Sequence, residues 1–197
     1  MAKLLGITGT PGTGKKTLAP MIATKLGLQC ISLNDLAASS GALASGSTES
    51  EVDVAILRKK LPRMLPEPLL IYGHLLPYAL GRGSIRKVVV LRCEPSALKR
   101  RLVERGYSHE KVRENVEAEL IGLISSDSLK VFGKSNTSEF NTTSSEPRRA
   151  AASIAGMFRK SAKPKPIKDW TLSYDTASKL DSLLERGLGR NQPEPRR

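Results

Sequence analysis

The chain has 197 residues, with 32 Lys and Arg against 19 Asp and Glu and a formal net charge of +13 at pH 7. That length fits one domain, or one domain with a tail, and 39% hydrophobic with 26% charged residues excludes a disordered chain. The longest apolar stretch, Leu69 to Leu80, is interrupted by Gly73, His74 and Pro77, which excludes a membrane span.

Lys3 to Thr8 (KLLGIT) reads as a short buried strand ending in a glycine-rich turn. Helical periodicity runs from Lys15 to Leu26 and stops at Gly27. Gln29 to Leu33 is a second strand, after which Asn34 and Asp35 supply an N-cap. Ala37 to Ser50 turns to Ala, Ser and Gly and is expected to be mobile. Asp53 caps a helix, VAILRKKL, that Pro62 and Pro66 stop. Leu69 to Tyr72 and Lys87 to Arg92 are continuous apolar runs, the pattern of parallel strands buried on both faces.

Pro95 opens a basic helix ending at Gly106, and Ser108 begins another. Asn136 to Thr142 is a last strand and Glu146 to Lys160 a last long helix. SAKPKPIKDW is a Pro/Lys linker, Tyr174 to Leu188 has leucines at helical spacing, and NQPEPRR is a frayed end. This order predicts an α/β protein with a parallel sheet. The N-terminal MAKLLGITGTPG lacks the pattern of a secretory leader. Cys30 and Cys93 have no CxxC spacing and read as reduced core thiols of a cytoplasmic protein.

Gly9-Thr10-Pro11-Gly12-Thr13-Gly14-Lys15 satisfies GxxxxGK between a predicted strand and a predicted helix, the context that makes a phosphate-binding loop specific. Its glycines let backbone N–H groups converge on a phosphate, and the helix N-terminus adds positive potential. Lys15 is placed to bridge the β- and γ-phosphates of ATP. The next position, where a Ser or Thr hydroxyl ordinarily ligates Mg²⁺, carries Lys16, followed by Thr17. An ammonium has no lone pair for a metal but neutralises phosphate charge directly.

The charge is concentrated: residues 58–113 hold fourteen Lys and Arg against four Asp and Glu. Such a block attracts polyanions, nucleotide phosphates first and RNA next, with a solvated basic surface as the alternative. At 4% aromatic residues, a base-stacking platform is not expected.

ITGTPGTGKKTLA, ISLNDLA, IYGHL, KVVVLRCEP, RLVERGYSHEKVRENVEAEL, EFNTT and IKDW together resemble the adenylate kinase isoenzyme 6 family, especially its archaeal members, over residues 3–170. The resemblance implies a three-layer α/β/α P-loop fold with a parallel sheet, a short monophosphate-binding segment near residues 33–52 and a helical lid near 104–114. A kinase domain over 1–162 and a basic tail over 163–197 follow. It also implies transfer of phosphate from ATP to AMP, ATPase activity, and a role in small-subunit ribosome maturation through a ribosomal protein and ribosomal RNA. Gly12, Thr13, Gly14, Lys15, Lys16 and Thr17 fall on its ATP-binding positions, and Arg105 on the lid arginine that contacts ATP. Tyr72 stands where the family has an acidic residue two positions before a histidine, here His74. Mg²⁺ is therefore expected to arrive bound to ATP, with no protein ligand set assigned.

Lys15 and Arg105 are the catalytic candidates, with Arg92 at a strand end as a third; a solvated helix face is the alternative for Arg105. Lys99, Arg100 and Arg101 read as surface residues, His109 as exposed, and Glu114, Glu117 and Glu119 as one solvated acidic face. His74 suits either a site role or a structural one, and Asp35 either a reach toward metal or a helix cap. Three functions fit: a monophosphate kinase with an assembly role, an ATP-binding assembly factor of weakened catalysis, and a P-loop kinase of another small metabolite.

Overall fold

Strands β1 (Leu4–Thr8), β2 (Gln29–Ser32), β3 (Leu69–Tyr72), β4 (Lys87–Arg92) and β5 (Thr137–Asn141) form one sheet, every neighbouring pair parallel, in the order β2-β3-β1-β4-β5. The computed structural model describes residues 4–42, 52–65, 68–159 and 169–185. The register sets Ile7 of β1 beside Tyr72 of β3 and Val89 of β4. The chain winds outward from β1 in both directions, so the crevice for a ligand lies at the carboxyl ends of β1, β3 and β4.

The helices are α1 (Lys15–Leu26), α2 (Leu33–Ser39), α3 (Val54–Met64), α4 (Leu76–Ala79), α5 (Pro95–Glu104), α6 (His109–Leu120), α7 (Leu123–Phe132), α8 (Pro147–Arg159) and α9 (Ala177–Glu185). Leu4, Leu69, Ile71 and Val88 pack against α2, α3, α4 and Phe132 of α7. Leu5, Ile7, Leu70, Val89 and Leu91 pack against α1 and α8. Both sheet faces are dry, which is why the strands read as unbroken apolar runs, and the three-layer α/β/α arrangement expected of the sequence is present. No helix among the described residues is long and apolar enough to cross a membrane.

A third core lies off the sheet. Cys93, Ala97, Leu98 and Leu102 meet Val112, Val116 and Leu120 of α6, and Trp170 and Leu183 cover them from the C-terminal segment. Polar contacts fix that segment to α5. Lys99 Nζ donates to the Leu183 carbonyl at 2.5 Å, and the Tyr174 hydroxyl donates to Glu94, whose carboxylate caps α5 at the Ala97 N–H at 2.9 Å.

Several local expectations change. The N-cap of α2 is Ser32, whose hydroxyl accepts from the Asp35 N–H at 3.4 Å, because strand β2 ends one residue earlier than the apolar pattern suggests. Leu36 and Ala37 are buried in that helix, so order extends into the stretch read as mobile, while 43–50 lies outside the described residues. Lys99 is a buried residue, held by a main-chain carbonyl rather than by solvent. Arg101 is tied down too, donating to the Thr142 and Thr143 carbonyls at 2.9 Å each. Helix α7 is an additional element, while the Pro/Lys linker over 160–168 and the end beyond 185 lie outside the described residues. Asp53 and Ser108 cap their helices as expected, accepting from the N–H groups of Ile56 and Lys111.

Trp170 is 2% exposed and completes the third core, so Trp170→Ala is expected to cost about 3–5 kcal/mol, read as a fall in Tm. An unchanged Tm would mean that the C-terminal segment contributes no core.

Candidate active site

β1 delivers the chain to its carboxyl edge at Thr8, and the loop that follows turns tightly around the start of α1. Gly9 has φ 137, and a Cβ there would stand 2.3 Å from the Leu91 carbonyl of β4. Gly12 has φ 90, and its Cβ would meet Leu98 of α5 at 2.6 Å. Only glycine satisfies both the conformation and the space at these points. Gly14 precedes α1 in a left-handed conformation, with no side-chain cap and no acidic residue in the first turn. The first amides of α1 and its positive end are thereby left for an anion.

Three buried threonines fix the loop. Thr8 Oγ1 donates to the Gly73 carbonyl at 2.8 Å, Thr13 Oγ1 to the Thr10 carbonyl at 2.8 Å, and Thr10 Oγ1 to Glu119 Oε2 at 2.6 Å. From β5's end, Thr142 Oγ1 lies 2.9 Å from the Thr13 carbonyl. The Lys15 ammonium turns back over the loop, donating to the carbonyls of Gly9 at 2.6 Å and Thr10 at 2.9 Å. Loss of water lowers its pKa to about 7, with the Glu119 carboxylate pulling upward and the Arg105 charge pushing further down.

Glu119 is not on a solvated face. It is 1% exposed and accepts from Arg92 Nε at 2.7 Å and from the Cys93 N–H at 2.9 Å, besides Thr10. Arg92, 2% exposed, also donates to Glu139 Oε1 at 2.7 Å and to the Glu119 carbonyl at 3.0 Å. Ser125 of α7 hydrogen-bonds the same Glu139 oxygen. Burial works against the Arg92 charge, but the two carboxylates outweigh it and hold its pKa above the ordinary arginine value. Arg92 is thus a structural cation whose donors are taken, not a ligand for substrate. Glu119 had a readable signal: Val112, Val116 and Glu119 follow i, i+4, i+7, one face of α6, and that face is buried.

The remaining candidates divide by exposure. Gly12, Thr13, Gly14 and Lys15 enclose the loop, and the exposed side chains of Lys16 and Thr17 stand on the first turn of α1. Arg105 is exposed at the end of α5, near enough for its charge to act on Lys15. His74 has its pKa lowered to about 4, by burial and then by Lys15, which keeps its imidazole neutral. Glu114 and His109 are exposed, as expected, and Glu117 is half-buried.

The donors present do not fit a protein-held Mg²⁺. Lys16 offers an ammonium, and Tyr72 is hydrogen-bonded to Ser32 with its own pKa raised, chiefly by burial. Asp35 is exposed, and among the described residues no three His, Cys, Asp or Glu side chains gather into an all-protein metal cage.

Glu119→Ala removes one partner of a buried ion pair and the acceptor for Thr10, so about 3–5 kcal/mol of stability should be lost. Nucleotide affinity should fall in the fraction that stays folded, whereas the exposed Arg100→Ala should change neither.

Lys15 also predicts a pH dependence. Above pH ~7 the nucleotide-free ammonium releases its proton, and a phosphate oxygen draws one back. Nucleotide binding near pH 8 should therefore take up about one proton, and affinity should weaken by up to about tenfold per pH unit above 7. Calorimetry in two buffers of different ionisation enthalpy reads the uptake, which Lys15→Met should abolish.

The family described as the AAA domain matches residues 5–122. A Thermococcus kodakarensis protein named "Putative adenylate kinase" is 35% identical over 174 residues, covering 87% of this chain and 95% of its own length. One of the same name from Pyrococcus abyssi is 36% identical over 177 residues, covering 87% and 93%. Among solved structures, shikimate kinase from Bacteroides thetaiotaomicron has a TM-score of 0.53 at 17% identity, covering 80% of this chain and 98% of its own. The YorR protein from Bacillus subtilis, solved with phosphorylated GDP, has 0.53 at 18%, covering 79% and 95%. These structures share the P-loop kinase fold, and the sequence relatives are matched over 87% of this chain. The chain belongs to the family of these archaeal adenylate kinase-like proteins.

Proposed function

We propose that the chain is an ATP:AMP phosphotransferase, within a kinase domain spanning residues 1–162. One observation carries this reading most directly: a glycine loop closed over an uncapped helix N-terminus, with the Lys15 ammonium resting on its carbonyls and the Arg105 charge within range. Gly12, Thr13, Gly14, Lys15, Lys16 and Thr17 receive the phosphates of ATP. AMP enters over the segment 33–52, and the turn within 104–114 brings Arg105 to the transferring group. The names of the archaeal relatives support the acceptor.

The chemistry asks little of acids or bases. The acceptor phosphate is already anionic, so the barrier falls through alignment of two substrates and neutralisation of the charge between them. Lys15 exchanges its loop carbonyls for phosphate oxygens as ATP arrives. Arg105, with its planar guanidinium, is suited to two oxygens of the group in flight.

A second reading, an ATP-binding factor of weakened kinase activity in small-subunit ribosome maturation, draws on Lys16 and Tyr72 at the positions of metal-organising residues. The basic block over 58–113 suits its RNA partner.

A coupled assay of ADP formed from ATP with and without AMP distinguishes them. AMP-dependent turnover supports the phosphotransferase; ATP consumption indifferent to AMP supports the second. Lys15→Ala should lower the rate about 10²–10³-fold. Arg105→Ala should lower turnover with Tm retained, since the side chain is exposed; a core-like loss of stability would make it structural.

A further inference from the structure

We infer that this loop takes a nucleoside triphosphate in its metal-free form, with the Lys16 ammonium standing in place of a protein-anchored divalent cation. The inference rests on the nucleotide reading above and concerns which charge form of the nucleotide the site prefers.

Lys16 is set against the local field. It is the second residue of α1, where the helix dipole disfavours a cation, and no acidic side chain occupies that first turn. Its side chain is exposed, and among the described residues no carboxylate pairs with it. Lys15 is its chain neighbour, and the Arg105 charge acts on Lys15. The nearby carboxylate, Glu119, acts on Lys15 from a distance, but its oxygens are engaged by Thr10, Arg92 and the Cys93 N–H, and it forms no ion pair with Lys16. Among the described residues, Lys16 and the helix N-terminus are therefore left without an internal carboxylate partner. That uncompensated charge matches a triphosphate carrying its full negative charge.

A magnesium-bound triphosphate has two of those charges already neutralised, and its dication would face Lys16 directly. The usual means of offsetting such repulsion are missing. The hydroxyl ligand is replaced by Lys16 itself, and the acidic position ahead of His74 holds Tyr72, whose phenol is tied to Ser32. An ammonium reproduces the compact positive charge of a metal toward phosphate oxygens while needing no carboxylate to hold it.

The test compares ATP affinity of the full chain in excess EDTA with that in saturating Mg²⁺, by calorimetry, for wild type and Lys16→Thr. Wild type should bind ATP with EDTA at least as tightly as with Mg²⁺. Lys16→Thr should shift the ratio toward the magnesium form by roughly tenfold or more, the scale of one charge-assisted contact. A wild-type preference for the magnesium form of tenfold or more overturns the inference, and that measurement needs no variant to fold. So does a Lys16→Thr ratio equal to that of wild type. Both results leave nucleotide binding intact, whereas failure of wild type to bind either form removes the nucleotide reading and this inference with it.

Discussion

The guanidinium of Arg92, buried between Glu119 and Glu139, is the constraint on which the carboxyl edge of the sheet depends. A cation this far from water persists only if each donor is met, and the planar fork of arginine dictates where the acceptors stand. The fork draws α6 against the end of β4 and holds β5 and α7 through Glu139 and Ser125. Glu119 has a second oxygen free of Arg92, and it accepts from Thr10 inside the phosphate loop. The shape of a loop at the start of the chain is thereby set by a carboxylate 109 residues later.

That long reach explains which features the sequence makes legible. β1, β3, β4, the phosphate loop and the caps at Asp53 and Ser108 are local patterns, decided by neighbours within a few positions. Lys99 and Glu119 look like solvent residues, and Arg92 like a substrate ligand, because a charge is buried only when a partner distant in sequence arrives, and no local window contains it. Helix α7 is hidden for a related reason. Its Ser125 and Ser128 interrupt the apolar pattern, yet both are buried, Ser128 donating to the Ile124 carbonyl at 2.6 Å. Ser32 is hidden as a cap because it also closes β2, a double duty that the run of apolar residues does not reveal.

The electrostatics of the site follow from the same packing. Burial of the loop's charged groups dominates, and the titratable neighbours register it. Lys15 is lowered to about 7 by burial, with Glu119 pulling upward and Arg105 pushing down by less, and His74 to about 4 by burial and then by Lys15. A neutral histidine beside a lysine that gives up its proton easily describes a place where positive charge is unwelcome until an anion enters. The Gly9 and Thr10 carbonyls that hold the Lys15 ammonium are a weaker substitute for phosphate oxygens, so the exchange on binding runs toward the ligand.

Helix α5 connects this field to movement. Leu98 and Leu102 press on Gly12 from one side, and Arg105 ends the same helix, so the position of α5 governs both the loop and the arginine. The C-terminal segment holds α5 near its start through Tyr174 and Glu94 and in its middle through Lys99 and the Leu183 carbonyl. α6 is fixed in turn by Val112, Val116 and Glu119. Residues 103–111 between these anchors are all exposed, and Gly106 sits there at φ 73. A movement that brings Arg105 onto a phosphate is therefore a rearrangement of this short turn, not a swing of the helix pair. The helices cannot travel without parting Arg92 from Glu119, and the loop they shape would lose its form at the moment the nucleotide needs it.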